Sequence, residues 1–161
     1  MKKTILHRSI FTVVACIALA ASVLLTAVHI TPVHLAEDVK DMVGEEAEPS
    51  FCAFFEGVQT WYQEIPVRAD GVTIRSDGNY APLLEAVNAL APYIAACESK
   101  AMSDADSADR LVDYNTPLTS LLVVILNLHM VLGSEGSYTF PADEWAAMGQ
   151  LLDEVVAAYQ A

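Results

Sequence analysis

Apolar positions recur along most of this chain at intervals of three and four residues and almost never alternate with polar ones. That spacing marks one face of a helix, whereas a period of two marks a half-buried strand, so the pattern predicts an all-α protein. Phe51, Phe54, Phe55, Val58, Trp61, Tyr62 and Ile65 fit a first amphipathic helix, capped by Ser50 and running to about Gln63 before Pro66. Leu83, Val87, Leu90, Ile94 and Cys97 fit a second, from Pro82 to about Lys100, with Pro92 expected to kink it. A short helical piece is expected around Leu111 to Tyr114, then a helix from Thr116-Pro117 to Gly133. The last helix spans Pro141 to about Gln160, with Trp145, Met148, Leu152, Val155, Val156 and Tyr159 turned inward. Four helices joined by loops predict a four-helix-bundle-like domain over residues 51–161.

Two stretches resist this pattern. Residues 66–80 hold Asp70-Gly71 and Asp77-Gly78 around Val72-Thr73-Ile74, which suits a small hairpin or an irregular loop. The interior of the fourth segment, Leu118 to Leu132, is apolar on nearly every face. It reads either as the buried central helix of the bundle or as a membrane span. At about 22 Å it is short for a hydrocarbon core, and it carries Asn127 and His129, so a buried helix is expected.

A second apolar run lies near the start. Ile10 to Val28 contains nothing more polar than Ser, Thr and Cys, and as a helix would be roughly 28 Å long. Lys2, Lys3 and Arg8 precede it, and Glu37, Asp38 and Asp41 follow. The expected organisation is a basic cytoplasmic terminus over 1–9, a transmembrane signal-anchor helix over 10–30, an acidic solvated linker over 31–50, and the exported helical domain. Ala18-Leu19-Ala20 also offers a signal-peptidase site, in which case the domain is secreted, and Val13 to Cys16 offers a weaker lipoprotein box.

Charge sharpens this division. Residues 1–36 sum to +3, whereas residues 37–161 carry all 21 acids and sum to −16. Such a domain is repelled by nucleic acid and by anionic lipid headgroups, both of which are bound through Lys and Arg. Cations or basic protein surfaces remain suitable partners.

Candidate chemistry is sparse. Cys52 and Cys97 are the two cysteines outside the apolar leader, and in an oxidising compartment antiparallel first and second helices would bring them together as a disulfide. Closing that 46-residue loop would stabilise the domain by roughly 4 kcal/mol. Asp104, Asp106, Asp109 and Asp113 lack the Gly and Glu of a calcium loop and suit a helix start instead. His129, inside a helix, reads as a core histidine or, alternatively, as a haem or apolar-ligand contact. No nucleophile turn, cofactor loop or metal spacing is evident, so no enzyme activity, cofactor or metal is expected. The expectation is a membrane-anchored accessory subunit docking on a larger bacterial membrane or cell-envelope complex, with Ile74, Arg75, Asn79 and Tyr80 of the long loop as partner contacts. An exported bundle binding haem or a small apolar ligand is the alternative.

Overall fold

The aromatic stripe of the first predicted helix does become the centre of the fold. A computed structural model describes residues 30–160; the leader segment expected to anchor the chain lies outside the described residues. The elements are α1 (Glu37–Val43), a 3-10 turn (Glu45–Ala47), α2 (Glu48–Glu64), β1 (Val72–Arg75), α3 (Ala81–Ala89), α4 (Ala91–Ser103), α5 (Ala105–Glu135), β2 (Ser137–Phe140) and α6 (Ala142–Ala158). The protein is mostly helical, as the periodicity requires.

Phe51, Phe54, Phe55 and Val58 of α2 are fully buried. Edge-to-face packing joins Phe51 to Phe55 at 5.1 Å and to Tyr159, just past α6, at 5.2 Å. Tyr93 of α4 lies 4.9 Å from Phe51, and Tyr114 of α5 lies 5.1 Å from Tyr159. One aromatic cluster therefore ties together α2, α4, α5 and the end of α6. Each buried ring stabilises the fold by about 1.5–3 kcal/mol through area alone, with a further ~1 kcal/mol from favourable ring geometry. A second cluster forms at the other end of α2, where Trp61 and Tyr62 both pack on Trp145 of α6, Tyr62 stacked at 4.6 Å.

The second predicted helix is two. Pro92 cannot donate a backbone hydrogen bond, and the chain breaks at Leu90 so that proline falls in the first turn of α4. The acidic stretch after Ser103, the short piece around Leu111 and the helix predicted from Thr116 to Gly133, by contrast, fuse into one 31-residue helix, α5. Asp104 caps it, accepting the backbone N–H groups of Asp106 and Ser107. Pro117 sits inside this helix. Its neighbourhood compensates: Leu118 N–H donates to the Tyr159 hydroxyl at 3.2 Å, and Thr116 and Thr119 hydroxyls donate to carbonyls one turn back. Gly136 ends α5 in the left-handed conformation at φ 75° and turns the chain into β2.

The Val72–Arg75 segment is a strand, but not of a local hairpin. It pairs antiparallel with β2, Ile74 opposite Tyr138, more than 60 residues away. Gly71, at φ 108°, starts it against the Phe140 carbonyl, where a side chain has no room.

The expectation of a solvated linker over 31–50 is corrected. Val33, Leu35, Val39, Val43 and Ala47 are all buried. Thr31 exchanges two hydrogen bonds with the Gln59 side chain, at 2.8 and 2.9 Å, and Ala36 N–H donates to the Tyr114 hydroxyl. The spacing of four from Leu35 through Ala47 is a core stripe, and the intervening acids face water.

The expected disulfide is also absent. Cys52 and Cys97 are both free thiols. The Cys97 sulfur faces Asn115 of α5 at 3.8 Å, whereas the Cys52 sulfur faces His34, in the strap of residues 30–36 before α1, at 3.8 Å. The predicted second helix breaks at Leu90, and the two sulfurs face different elements.

Burial raises the pKa of the Tyr93 phenol, with Cys97 adding to it, and burial likewise raises that of Tyr159. Both rings are neutral when folded, so their stabilisation is fully present below the unfolded value of about 10 and is lost as pH climbs beyond it. A single alkaline transition is expected in which helix circular dichroism and tyrosinate absorbance change together. Full ionisation of these phenols with helices intact would contradict this packing.

Candidate functional site

Helix α5 has two different sides. Its inner stripe, Leu111, Leu118, Leu121, Ile125, Leu128 and Leu132, is buried in the core. Its outer side is not: Val123, Leu126 and Met130 are 51%, 56% and 65% exposed. Only 28% of its most apolar window is buried, so the central, fully enclosed helix expected from the sequence is corrected to a helix packed on one side. Between Asp113 and Glu135 α5 carries no Asp, Glu, Lys or Arg. By length and composition alone it is apolar enough to cross a membrane.

Furrows run along both flanks of this ridge. One, of about 370 Å³, is lined by Tyr80, Leu84, Val87, Leu122, Ile125, Leu126 and His129, between α3 and α5. The other, of about 230 Å³, lies between α5 and β2 and includes Val124, Val131, Tyr138 and Phe140. Leu84 is itself 38% exposed. A ridge of exposed apolar side chains, interrupted by the exposed Asn127, between mostly apolar furrows is an unusual surface for an acidic domain.

The sequence-derived candidates are distributed unevenly around it. Ile74 is fully buried and Tyr80 nearly so, so neither bulky residue of the long loop is available to a partner. Asn79 is structural: its side chain accepts from Arg75 N–H and donates to the Thr73 carbonyl, both at 2.9 Å, and its own carbonyl accepts the Trp61 indole N–H at 2.7 Å. Arg75 is exposed, with its guanidinium held on Asp77 at 3.0 Å, and this pair holds the Arg75 pKa above and the Asp77 pKa below their usual values. His129 is not the core histidine expected. It is exposed, at the edge of the first furrow, with Nδ1 2.9 Å from the Tyr80 hydroxyl.

A separate polar cluster lies at the start of α2. Glu48 and Cys52, four residues apart and so on one helix face, meet His34 of the strap. His34 Nδ1 stands 3.4 Å from Glu48 Oε1 and 3.8 Å from Cys52 Sγ, and Lys40 Nζ lies 3.1 Å from the same carboxylate oxygen. Burial alone would raise the Glu48 pKa, but the Lys40 ion pair, the Leu35 N–H and His34 outweigh it and lower it. Burial, then the Glu48 charge, pushes the Cys52 thiol up. Sequence reading missed this cluster because His34 belongs to the supposed linker.

No protein-family model, no curated protein and no solved structure matches this chain, so function is read from its own residues.

The two sides of α5 should respond differently to substitution. Leu121→Ala or Leu128→Ala is expected to cost about 2–5 kcal/mol in denaturant unfolding. Leu126→Ser or Met130→Ser is expected to stay within about 0.5 kcal/mol of wild type, as for other solvent-facing positions. Equal losses on both sides would contradict the one-sided packing.

Proposed function

We propose that this protein is a membrane-anchored, non-enzymatic accessory subunit. Its α5 ridge docks on a protein of a larger membrane or cell-envelope complex. The single observation that carries this reading is the charge-free, apolar outer side of α5 between its two furrows. The apolar segment Ile10 to Val28, behind a basic terminus, supplies the anchor.

Charge selects the occupant. The residues beyond 36 sum to −16, so a second copy brought face to face on the ridge would meet strong like-charge repulsion. Anionic lipid headgroups would meet the same repulsion. A protein surface with an apolar centre and a neutral or basic rim fits both features: the centre covers Val123, Leu126 and Met130, and the rim meets the surrounding acids. Rim charges then govern association rate and salt sensitivity, and the apolar anchors govern lifetime.

A second reading, an exported bundle that binds haem or a small apolar ligand, is supported by the furrow at His129. There Nδ1 is engaged by Tyr80, which leaves Nε2 as the free donor at a mostly apolar wall. A Soret band in protein purified from its native membrane, lost in His129→Ala, would favour it.

A photo-reactive residue at position 126 should cross-link in intact membranes to one membrane protein, whereas one at the exposed Asp153 on α6 should not. Adding Met130→Asp should abolish the adduct without changing helix content. Homotypic adducts, adducts to lipid, or equal labelling from both positions would overturn the docking proposal.

A further inference from the structure

We propose that His34, Glu48 and Cys52 form a zinc-binding clasp that fastens the N-terminal strap to α2. The three side chains present one imidazole nitrogen, one carboxylate oxygen and one sulfur, all within 4.8 Å of one another. Among the described residues no other trio of His, Cys, Asp and Glu converges in this way. Their separations suit a tetrahedral ion. Bonds of about 2.0–2.1 Å to nitrogen and oxygen and about 2.3 Å to sulfur require N to O and N to S edges of roughly 3.3 and 3.6 Å. The observed N to O and N to S edges are 3.4 and 3.8 Å, close to those values, and the O to S edge, within 4.8 Å, is the one that side-chain rotation would have to shorten.

A second observation is independent of those spacings. Glu48 Oε1 is shielded from solvent and makes no hydrogen bond of proper geometry, although it carries the charge of the cluster. Its neighbours are the Lys40 ammonium at 3.1 Å and the His34 imidazole at 3.4 Å. Held by Lys40 beside nitrogen and sulfur donors, this anionic oxygen is already placed as a ligand for a metal ion. The mixed donor set excludes magnesium and calcium, which take oxygen ligands, and favours zinc.

Binding is a balanced exchange. Zn²⁺ replaces the proton of the Cys52 thiol, which leaves to solvent as the Zn–S bond forms. Neutral His34 donates through Nδ1 and Glu48 through Oε1, so the two anionic ligands neutralise the ion. Lys40 gives up Glu48 but keeps Glu37, whose carboxylate already lies 3.0 Å from Nζ. Three protein ligands leave a fourth position open. Beside it lies a cleft of about 320 Å³, lined by Ile30, Thr31, Pro32, Val33 and Glu56 as well as His34 and Cys52, with room for water or an external donor. Because the strap is the route from the apolar leader into the domain, an occupied clasp stiffens that junction.

Cobalt(II) reports the site directly, since thiolate ligation gives a near-ultraviolet charge-transfer band and tetrahedral geometry gives intense visible bands. The full-length chain, purified and stripped of metal, should acquire both with one cobalt per chain, and zinc should displace it. Cys52→Ser should lose the charge-transfer band, and His34→Ala should weaken binding more than about tenfold. Cys97→Ser should leave the spectrum unchanged. Lys40→Met removes a competing cation and should tighten binding by about tenfold, a gain that misfolding cannot mimic. Absence of both bands in excess cobalt, their survival in Cys52→Ser, or weaker binding by Lys40→Met would overturn the site.

Discussion

A helix of 31 residues is about 46 Å long, and the next longest helices among the described residues, at 17 residues, reach only about 25 Å. No single neighbour can cover α5, so it is packed piecewise. Helix α4 lies along its first part, while α6 and β2 meet its second. These neighbours all lie on one side, because the aromatic cluster around Phe51, Tyr93, Tyr114 and Tyr159 draws them inward. The other side stays open. Burying Val123, Leu126 and Met130 would require another element, and an external partner is the occupant that the proposed function assigns.

The same mismatch explains the smaller devices of the fold. Tyr159 lies just past α6, yet its hydroxyl meets the Leu118 N–H beside Pro117, so the weakest point of α5 is braced by the end of the last helix. The strap before α1 is recruited to the same region, with the Ala36 N–H on the Tyr114 hydroxyl and the Gln160 side chain on the Pro32 carbonyl. Strap, α2 and chain end thus close one end of the domain. The polar trio of His34, Glu48 and Cys52 sits on the outside of that closure, where a bound ion would hold strap against helix.

Local periodicity carried the helices well. The Phe51 to Trp61 stripe and the inner face of α6 are the core, because an amphipathic pattern of four or more turns is hard to satisfy any other way. Non-local facts were less legible. The Asp-Gly turns suited a local hairpin or an irregular loop, but the partner of Val72–Arg75 lies beyond α5, a pairing that turn chemistry cannot encode. The four-residue spacing of Leu35, Val39, Val43 and Ala47 was legible but masked by five acids among them. The cysteine pairing rested on helix order, which fixes level along the axis and says nothing of azimuth. Ile74 and Tyr80 read as loop residues available to a partner, and the strand and the following turn carry both into the core. The site at α5 was half visible: its apolarity was plain, but a uniformly apolar helix does not reveal which side its neighbours will choose.

Methionine oxidation separates a covered ridge from a bare one, since thioethers react in proportion to their exposure. Met130 on the ridge and Met102 at the end of α4 are 65% and 85% exposed in the isolated chain, which makes Met102 an internal control. Brief peroxide treatment of the purified protein should oxidise both. In intact native membranes Met102 should oxidise as before, while Met130 is protected. Equal oxidation of Met130 in both settings would contradict the claim that the outer side of α5 is a docking surface.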